Sequence, residues 1–294
     1  LYLLKSTLAM KKLLYILIFV PIALFGQENY SLSFDANGEY ISFQNNTLNP
    51  EDELTVSFWA KLNNYGPYNR FITMSPQTES EATIKYNVAN NIQGLYVYIN
   101  GQSYQSDVLP SLGEWHNITL TYSQILNVGK LYLDSELVFQ FNDSSDEWLD
   151  DADYFYVGGV LSGYFSVDGK MNNIHIWNIL LSQEEIQSYM DCPPSGQEDG
   201  LVGYWSFNEG IGDTVYDISG NGNQGTIYGA TFSEDVPEET CSILDQLNAS
   251  FDAWNVSIDL SAGWNMFGYG CPSSINVADG LSNHTERIII TKAN

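Results

Sequence analysis

Carboxylates are the commonest reactive side chains in this sequence, 36 Asp and Glu against 10 Lys and Arg, so their spacing is the first test for chemistry. Retaining hydrolysis of a sugar needs two carboxyl groups about 5 Å apart, one to attack and one to protonate. The strand-borne spacing Glu-x-Asp-x-x-Glu, which puts carboxylates on one strand face, is absent, and Asp150, Asp151 and Asp153 fall in a loop-like context. His116, His175 and His284 stand alone, with no HxH or HExxH spacing to suggest zinc. No GxSxG elbow is present for a serine nucleophile. GNGNQGT at 220–226 lacks the lysine of a phosphate loop and reads as a turn. The expectation is a chain without catalytic activity.

Binding chemistry has more support. Trp59, Tyr96 and Tyr98 each alternate with aliphatic residues along a strand-like run, which would turn their rings away from the core. Such rings, with amides or hydroxyls nearby, suit stacking on a sugar, although cross-strand pairing would use them equally well. Asp35, Asn37 and Gly38 place oxygen ligands close together in a turn, so calcium is the candidate cofactor, the alternative being a plain turn.

The elements that must position these groups are strands. In GEWHNITLTYSQILNVGKLYLDSELV, residues 113–138, Ile118, Leu120 and Tyr122 oppose Asn117, Thr119 and Thr121, and Leu131 and Leu133 oppose Lys130 and Tyr132. Period-two alternation of this kind marks antiparallel strands with one buried face, joined through the turn at 124–129. Further strands are predicted at 30–34, 40–43, 54–62, 70–74, 82–87, 94–100, 137–141, 154–158, 164–167 and 171–177, giving an all-β, two-sheet antiparallel sandwich. Ser182 with Glu185 three residues later forms a capping box for a short helix over 182–190 after the closing strand, pinned by Ile186 and Met190. Cys192-Pro193-Pro194 stops it, and 193–200 reads as a linker.

Between residues 30 and 189 the chain resembles the laminin-G-like, concanavalin A-like jelly-roll domains of secreted bacterial proteins. The residues carrying the resemblance are FDANGEYI (34–41), TVSFWAK (55–61), GEWHNITLTY (113–122), KLYLDSELV (130–138) and DGKMNNIHIWNILLSQEEI (168–186). The resemblance implies a jelly-roll sandwich over 28–192, acting as an accessory or adhesive module, with some relatives binding glycans or calcium. It also implies a metal role for the closing-strand motif near the first turn, where this chain has Asn172 and Asn173 in place of acids, so that Asn172 would join Asp35 and Asn37. Residues 201–239 resemble the opening third of a second such domain. They would either dock on the first sandwich as extra strands or introduce a degenerate one. Residues 240–294, with strands at 254–260 and 263–270, resemble the start of a C-terminal β module expected to be truncated.

Met10-Lys11-Lys12 and the apolar run 13–25 have the layout of a signal peptide over 10–26, with residues 1–9 upstream of the true start. The expected setting is therefore secreted or cell-surface. A net charge of −26 argues against nucleic acid or an anionic membrane as partner and leaves an extracellular glycan or surface protein. The acidic stretches Glu51–Glu53 and 143–153 are weaker calcium candidates. Export permits disulfides, and the three cysteines allow one bond, Cys192 to Cys241 or Cys241 to Cys271.

Overall fold

The computed structural model describes residues 29–44, 52–66, 69–75, 86–99, 101–143, 154–160, 165–241, 265–266 and 269–270. The signal-peptide segment, most of the acidic stretch 143–153, Glu51 and Cys271 lie outside the described residues. Contacts divide the chain into two units, Leu1–Glu239 and Thr240–Asn294.

In chain order the strands of the first unit begin with β1 (Ser31–Asp35), β2 (Tyr40–Gln44), β3 (Glu53–Leu62) and β4 (Asn69–Ser75). They continue with β5 (Tyr86–Asn91), β6 (Gly94–Ile99), β7 (Gln102–Gln105), β8 (Trp115–Ser123), β9 (Val128–Leu133), β10 (Glu136–Asn142), β11 (Tyr154–Val157) and β12 (Asp168–Trp177). Helix α1 (Gln183–Asp191) follows, then β13 (Leu201–Trp205), β14 (Thr214–Val215), β15 (Gly225–Tyr228) and β16 (Thr231–Ser233). The first sheet runs β10-β9-β8-β3-β12-β1-β16 with β13 also on β12, and the second runs β14-β15-β2-β11-β4-β5-β6-β7. All these pairings are antiparallel, as the alternation predicts.

The core is the sum of the inward-facing halves of these strands. β3 sends Val56 and Phe58 inward opposite Leu120 and Ile118 of β8, all with no exposure. The second sheet answers with Ile72, Val88 and Val97. Burying one such side chain contributes roughly 1.5–3 kcal/mol. The predicted central hairpin is β8 and β9, and the turn after β9 places Asp134 and Ser135 at φ 51° and 63°, the twist a two-residue hairpin requires. At the first turn the positive φ falls on Ala36 and Gly38 rather than Asn37. That turn joins strands of different sheets.

Three local expectations change. Residues 165–167 are not a strand but an irregular return, tied by Val167 N–H to Gly158 O at 2.8 Å and Ala36 N–H to Val167 O at 3.1 Å. β5 starts at Tyr86 and runs to Asn91, because its register sets Val88 on Val97 of β6; residues 82–85 lie outside the described residues. β7 went unpredicted, since QSYQ carries one ring and no apolar alternation.

The helix has the expected capping box at Ser182 and Glu185, and Ile186 is its buried anchor. Its second contact is Tyr189, whose ring lies 4.8 Å from that of Trp177 at a tilt of 33°, rather than Met190. Residues 201–233 supply strands to both sheets: Trp205 pairs Ile174 of β12, and Ile227 pairs Ile41 of β2. The Trp205 ring lies 4.6 Å from Phe43 and 5.9 Å from Phe155, with its indole N–H on Asn223 O at 2.7 Å. Of the two alternatives for this stretch, the extra strands are the ones observed. Cys192 and Cys241 are disulfide-bonded, which with three cysteines in the chain makes one bridge between them. In the second unit a short hairpin, β17 (Asn265–Met266) and β18 (Tyr269–Gly270), is described.

Candidate functional site

Tyr96 and Tyr98 are where the pleat puts them. Leu95, Val97 and Ile99 are fully buried, so the two tyrosines of β6 turn to the outer face of the second sheet and are half-buried there. β7, the edge strand, sets Gln105 beside Tyr96 and Ser103 beside Tyr98. Asn91 shapes the β5–β6 turn, its Oδ1 accepting the N–H of Gln93 at 2.7 Å and of Gly94 at 3.2 Å. A Cβ on Gly94 would stand 1.9 Å from Ser106 O, so only glycine lets residues 106–108 pass this close. Leu95 brackets that segment, its N–H donating to Val108 O and its carbonyl accepting from Ser106 N–H, both at 2.9 Å.

Beside this patch lies a groove of about 520 Å³ lined by Gln93, Gln105, Ser106, Asp107, Val138 and Phe139. Its walls come from different layers, β7 and its exit from the second sheet and β10 from the first. The layers are fastened beneath it by Tyr104, whose ring stacks 4.1 Å from Phe141 and whose hydroxyl donates to Asn142 O at 3.2 Å. Gln105 Nε2 lies 3.3 Å from Gln93 Oε1 and 3.4 Å from Asn91 Oδ1, which holds the amides as a row. Amides, one hydroxyl, a phenyl ring and two neighbouring phenol rings can orient and stack on a polar, uncharged ring. Among the described residues of the lining, Asp107 is the one carboxylate.

The remaining predicted residues lie elsewhere. Trp59 turns outward from β3 between Asn117 and Asn172, on the first sheet. The three platform aromatics therefore do not share a face, because outward from β3 and outward from β6 are opposite sides of the sandwich. Asp35 stands opposite Asp168, at the far end of the β1–β12 pairing from Asn172. Four residues of strand separate Asp168 from Asn172, roughly 13 Å. Asn172 is 3% exposed and its Nδ2 donates to Tyr30 O at 2.6 Å and Ser206 O at 3.2 Å, while Asp35 Oδ1 accepts Asn37 N–H at 3.0 Å. Asp35, Asn37 and Asn172 thus do not make one calcium site. Among the described residues no group of three or more His, Cys, Asp or Glu is spaced to hold a metal ion.

One constellation escaped the sequence reading. His116 Nδ1 lies 2.7 Å from Asp134 Oδ2, and His116 Nε2 lies 2.7 Å from Ser111 Oγ, the distances of a nucleophile, base and orienting acid. The proton inventory decides its character. Where Ser111 donates its single hydroxyl proton to Glu114, Nε2 donates to Oγ while Nδ1 donates to Asp134. This arrangement favours the protonated imidazole, with Asp134 in direct contact and Glu114 4.0 Å from Nε2. The hydrogen bond to Asp134 raises the His116 pKa, against the opposing effect of burial, and the charges of Asp134 and Glu114 add to the rise. The only sequence signal was a His at a strand start and an Asp-Ser hairpin turn 18 residues on, a pairing that needs the register of β8 and β9.

Two eight-stranded antiparallel layers with a groove where their edge strands meet define a lectin-type jelly roll. Residues 35–187 match the laminin G model described as the concanavalin A-like lectin/glucanases superfamily, and the chain belongs to that family. It is similar in structure to a candidate carbohydrate-binding protein of Bacteroides ovatus, with 19% identity, a TM-score of 0.59, and 72% of this chain and 62% of that one covered. It is also similar to the heptameric SAP-like pentraxin of Limulus polyphemus, at 12% identity and a TM-score of 0.52, with 74% and 99% covered. These likenesses concern the fold. In sequence it is 22% identical to the rat sushi, von Willebrand factor type A, EGF and pentraxin domain-containing protein 1 over 62% of this chain, which spans 5% of that protein. No helix among the described residues is long and apolar enough to cross a membrane.

Proposed function

We propose that this domain is a secreted, non-catalytic carbohydrate-binding module of a bacterial surface or adhesive protein, taking a neutral glycan along Tyr96, Tyr98 and the amide-lined groove. The single observation that supports it most is the adjacency of half-buried outward tyrosines to the Gln93 and Gln105 amides at a sheet edge. A sugar has apolar ring faces and hydroxyl edges, and such a site offers both stacking area and orienting hydrogen bonds. Each module would bind modestly, and repeated copies on one surface would raise the effective concentration.

The test is a glycan array followed by calorimetry on the full chain, with and without a chelator. The expected result is binding that falls at least tenfold in the Tyr96→Ala/Tyr98→Ala variant. Loss of binding in chelator would add calcium as a cofactor at a position other than the Asp35, Asn37 and Asn172 set. Uniform absence of binding by folded protein would overturn the reading in favour of a structural spacer, and turnover of a polymer would overturn its non-catalytic half.

A further inference from the structure

On the outer face of the first sheet, Trp115 of β8, Lys61 of β3 and Lys170 of β12 form one cross-strand row. Like charges directly opposite each other on neighbouring strands are destabilising, and the chain has only 10 Lys and Arg in all. Two of them side by side call for an anion, and Asp235 supplies it. Its Oδ2 accepts from Lys170 Nζ at 2.5 Å and Lys61 Nζ at 2.9 Å, and its Oδ1 accepts from Trp115 Nε1 at 3.0 Å and Lys61 Nζ at 3.2 Å. Burial pushes the Asp235 pKa up, and the hydrogen bonds from Lys170, Lys61 and Trp115 more than reverse this, holding it well below the usual carboxylate range.

The segment carrying Asp235 is a strap rather than a strand. Residues 234–239 have no regular structure after β16. Besides the carboxylate, Ser31 Oγ donates to Asp235 O at 2.7 Å and Asn173 Nδ2 to Glu239 Oε1 at 3.0 Å. Its ends are fixed at β16 and at the Cys192–Cys241 bridge, and between them a segment outside the ladders, held by these side-chain bonds and the buried Pro237, can lift locally at lower cost than global unfolding. Beneath it the row is flanked by a second indole: Trp59, two residues before Lys61 on the same strand face, is half-buried.

We propose that Trp59, Trp115, Lys61 and Lys170 form a second binding site, for a carboxylate-bearing sugar of the hexuronate class, which Asp235 fills from within the same chain. The two ammonium groups and the indole N–H take the carboxylate in the arrangement they already give Asp235, and the indole rings flank the sugar ring. A tethered carboxylate competes at an effective concentration in the millimolar range, so the intact strap weakens the site without abolishing it. The site lies on the outer face of the first sheet, on the opposite side of the sandwich from Tyr96 and Tyr98, and does not depend on the groove binding anything.

The probe is trigalacturonate, with maltotriose as neutral control, titrated calorimetrically into the full chain and into Asp235→Ala. The expected result is affinity for trigalacturonate at least tenfold higher in Asp235→Ala, weakening with salt, abolished by adding Lys61→Gln and Lys170→Gln, and no gain for maltotriose. An Asp235→Ala protein with native near-UV dichroism that binds trigalacturonate no better than wild type overturns the proposal. Should that variant fail to fold, hydrogen exchange of residues 234–239 in wild-type protein gives the answer. Faster exchange at saturating trigalacturonate supports displacement of the strap, and unchanged exchange overturns it.

Discussion

His175 makes the acid sensitivity of this fold a measurable quantity. It lies in β12 at 2% exposure, its Nδ1 accepting the indole N–H of Trp177 at 2.8 Å, with the rings of Tyr189 and Tyr204 6.1 and 6.3 Å away. Burial lowers its pKa from 6.5 to about 3. The unfolded chain therefore takes up a proton near pH 6.5 that the folded chain refuses until about pH 3. The sign follows: the contribution is fully present above pH 6.5 and is lost as pH falls toward 3. Integrated from pH 8 to pH 5, the loss is about 2 kcal/mol. His175→Gln keeps an acceptor for the indole and removes the titration. Urea unfolding of both proteins at pH 8 and pH 5 should show wild type losing about 2 kcal/mol more than the variant, a midpoint shift on the order of 1 M. Carboxylates common to both proteins cancel in this difference. Equal losses in the two proteins would refute a buried, neutral His175.

Two other outcomes are expected. His116 should titrate above 6.5 by NMR and fall toward that value in Asp134→Asn; its contribution has the opposite sign to that of His175, present below its unfolded pKa and lost as pH rises through the raised folded one. An unshifted wild-type His116 would contradict the ion-pair reading. Replacing Cys192 and Cys241 by serine opens a loop of about 50 residues, which chain entropy values at about 4 kcal/mol. Denaturant melts showing less than about 1 kcal/mol would mean that the unfolded chain gains little from its release.

The faces of individual strands were legible in the sequence, because alternation is a local property: Val56 and Phe58 inward, Trp59 outward, Tyr96 and Tyr98 outward. Which sheet each strand joins was not legible. β1 and β2 sit only five residues apart yet belong to different layers, and a later crossover, from β3 to β4, puts Trp59 and the tyrosines in opposite layers. The candidate metal set failed for a related reason. Antiparallel register, which no local pattern reports, brings Asp168 rather than Asn172 opposite Asp35. The groove was half visible, since Tyr96 stood out by its alternation, whereas Gln93, Gln105 and Phe139 meet only through the edges of two sheets.

β15 and β16, the last described strands of the first unit, occupy the free flanks of β2 and β1, its first two. During synthesis each early strand therefore keeps one row of unpaired N–H and C=O groups for nearly the whole length of the domain, and such rows invite pairing with another chain. A polypeptide ending at the family boundary, residue 187, would keep those flanks open permanently. It should self-associate through β1 and β2, while a chain reaching Ser233 closes both from within.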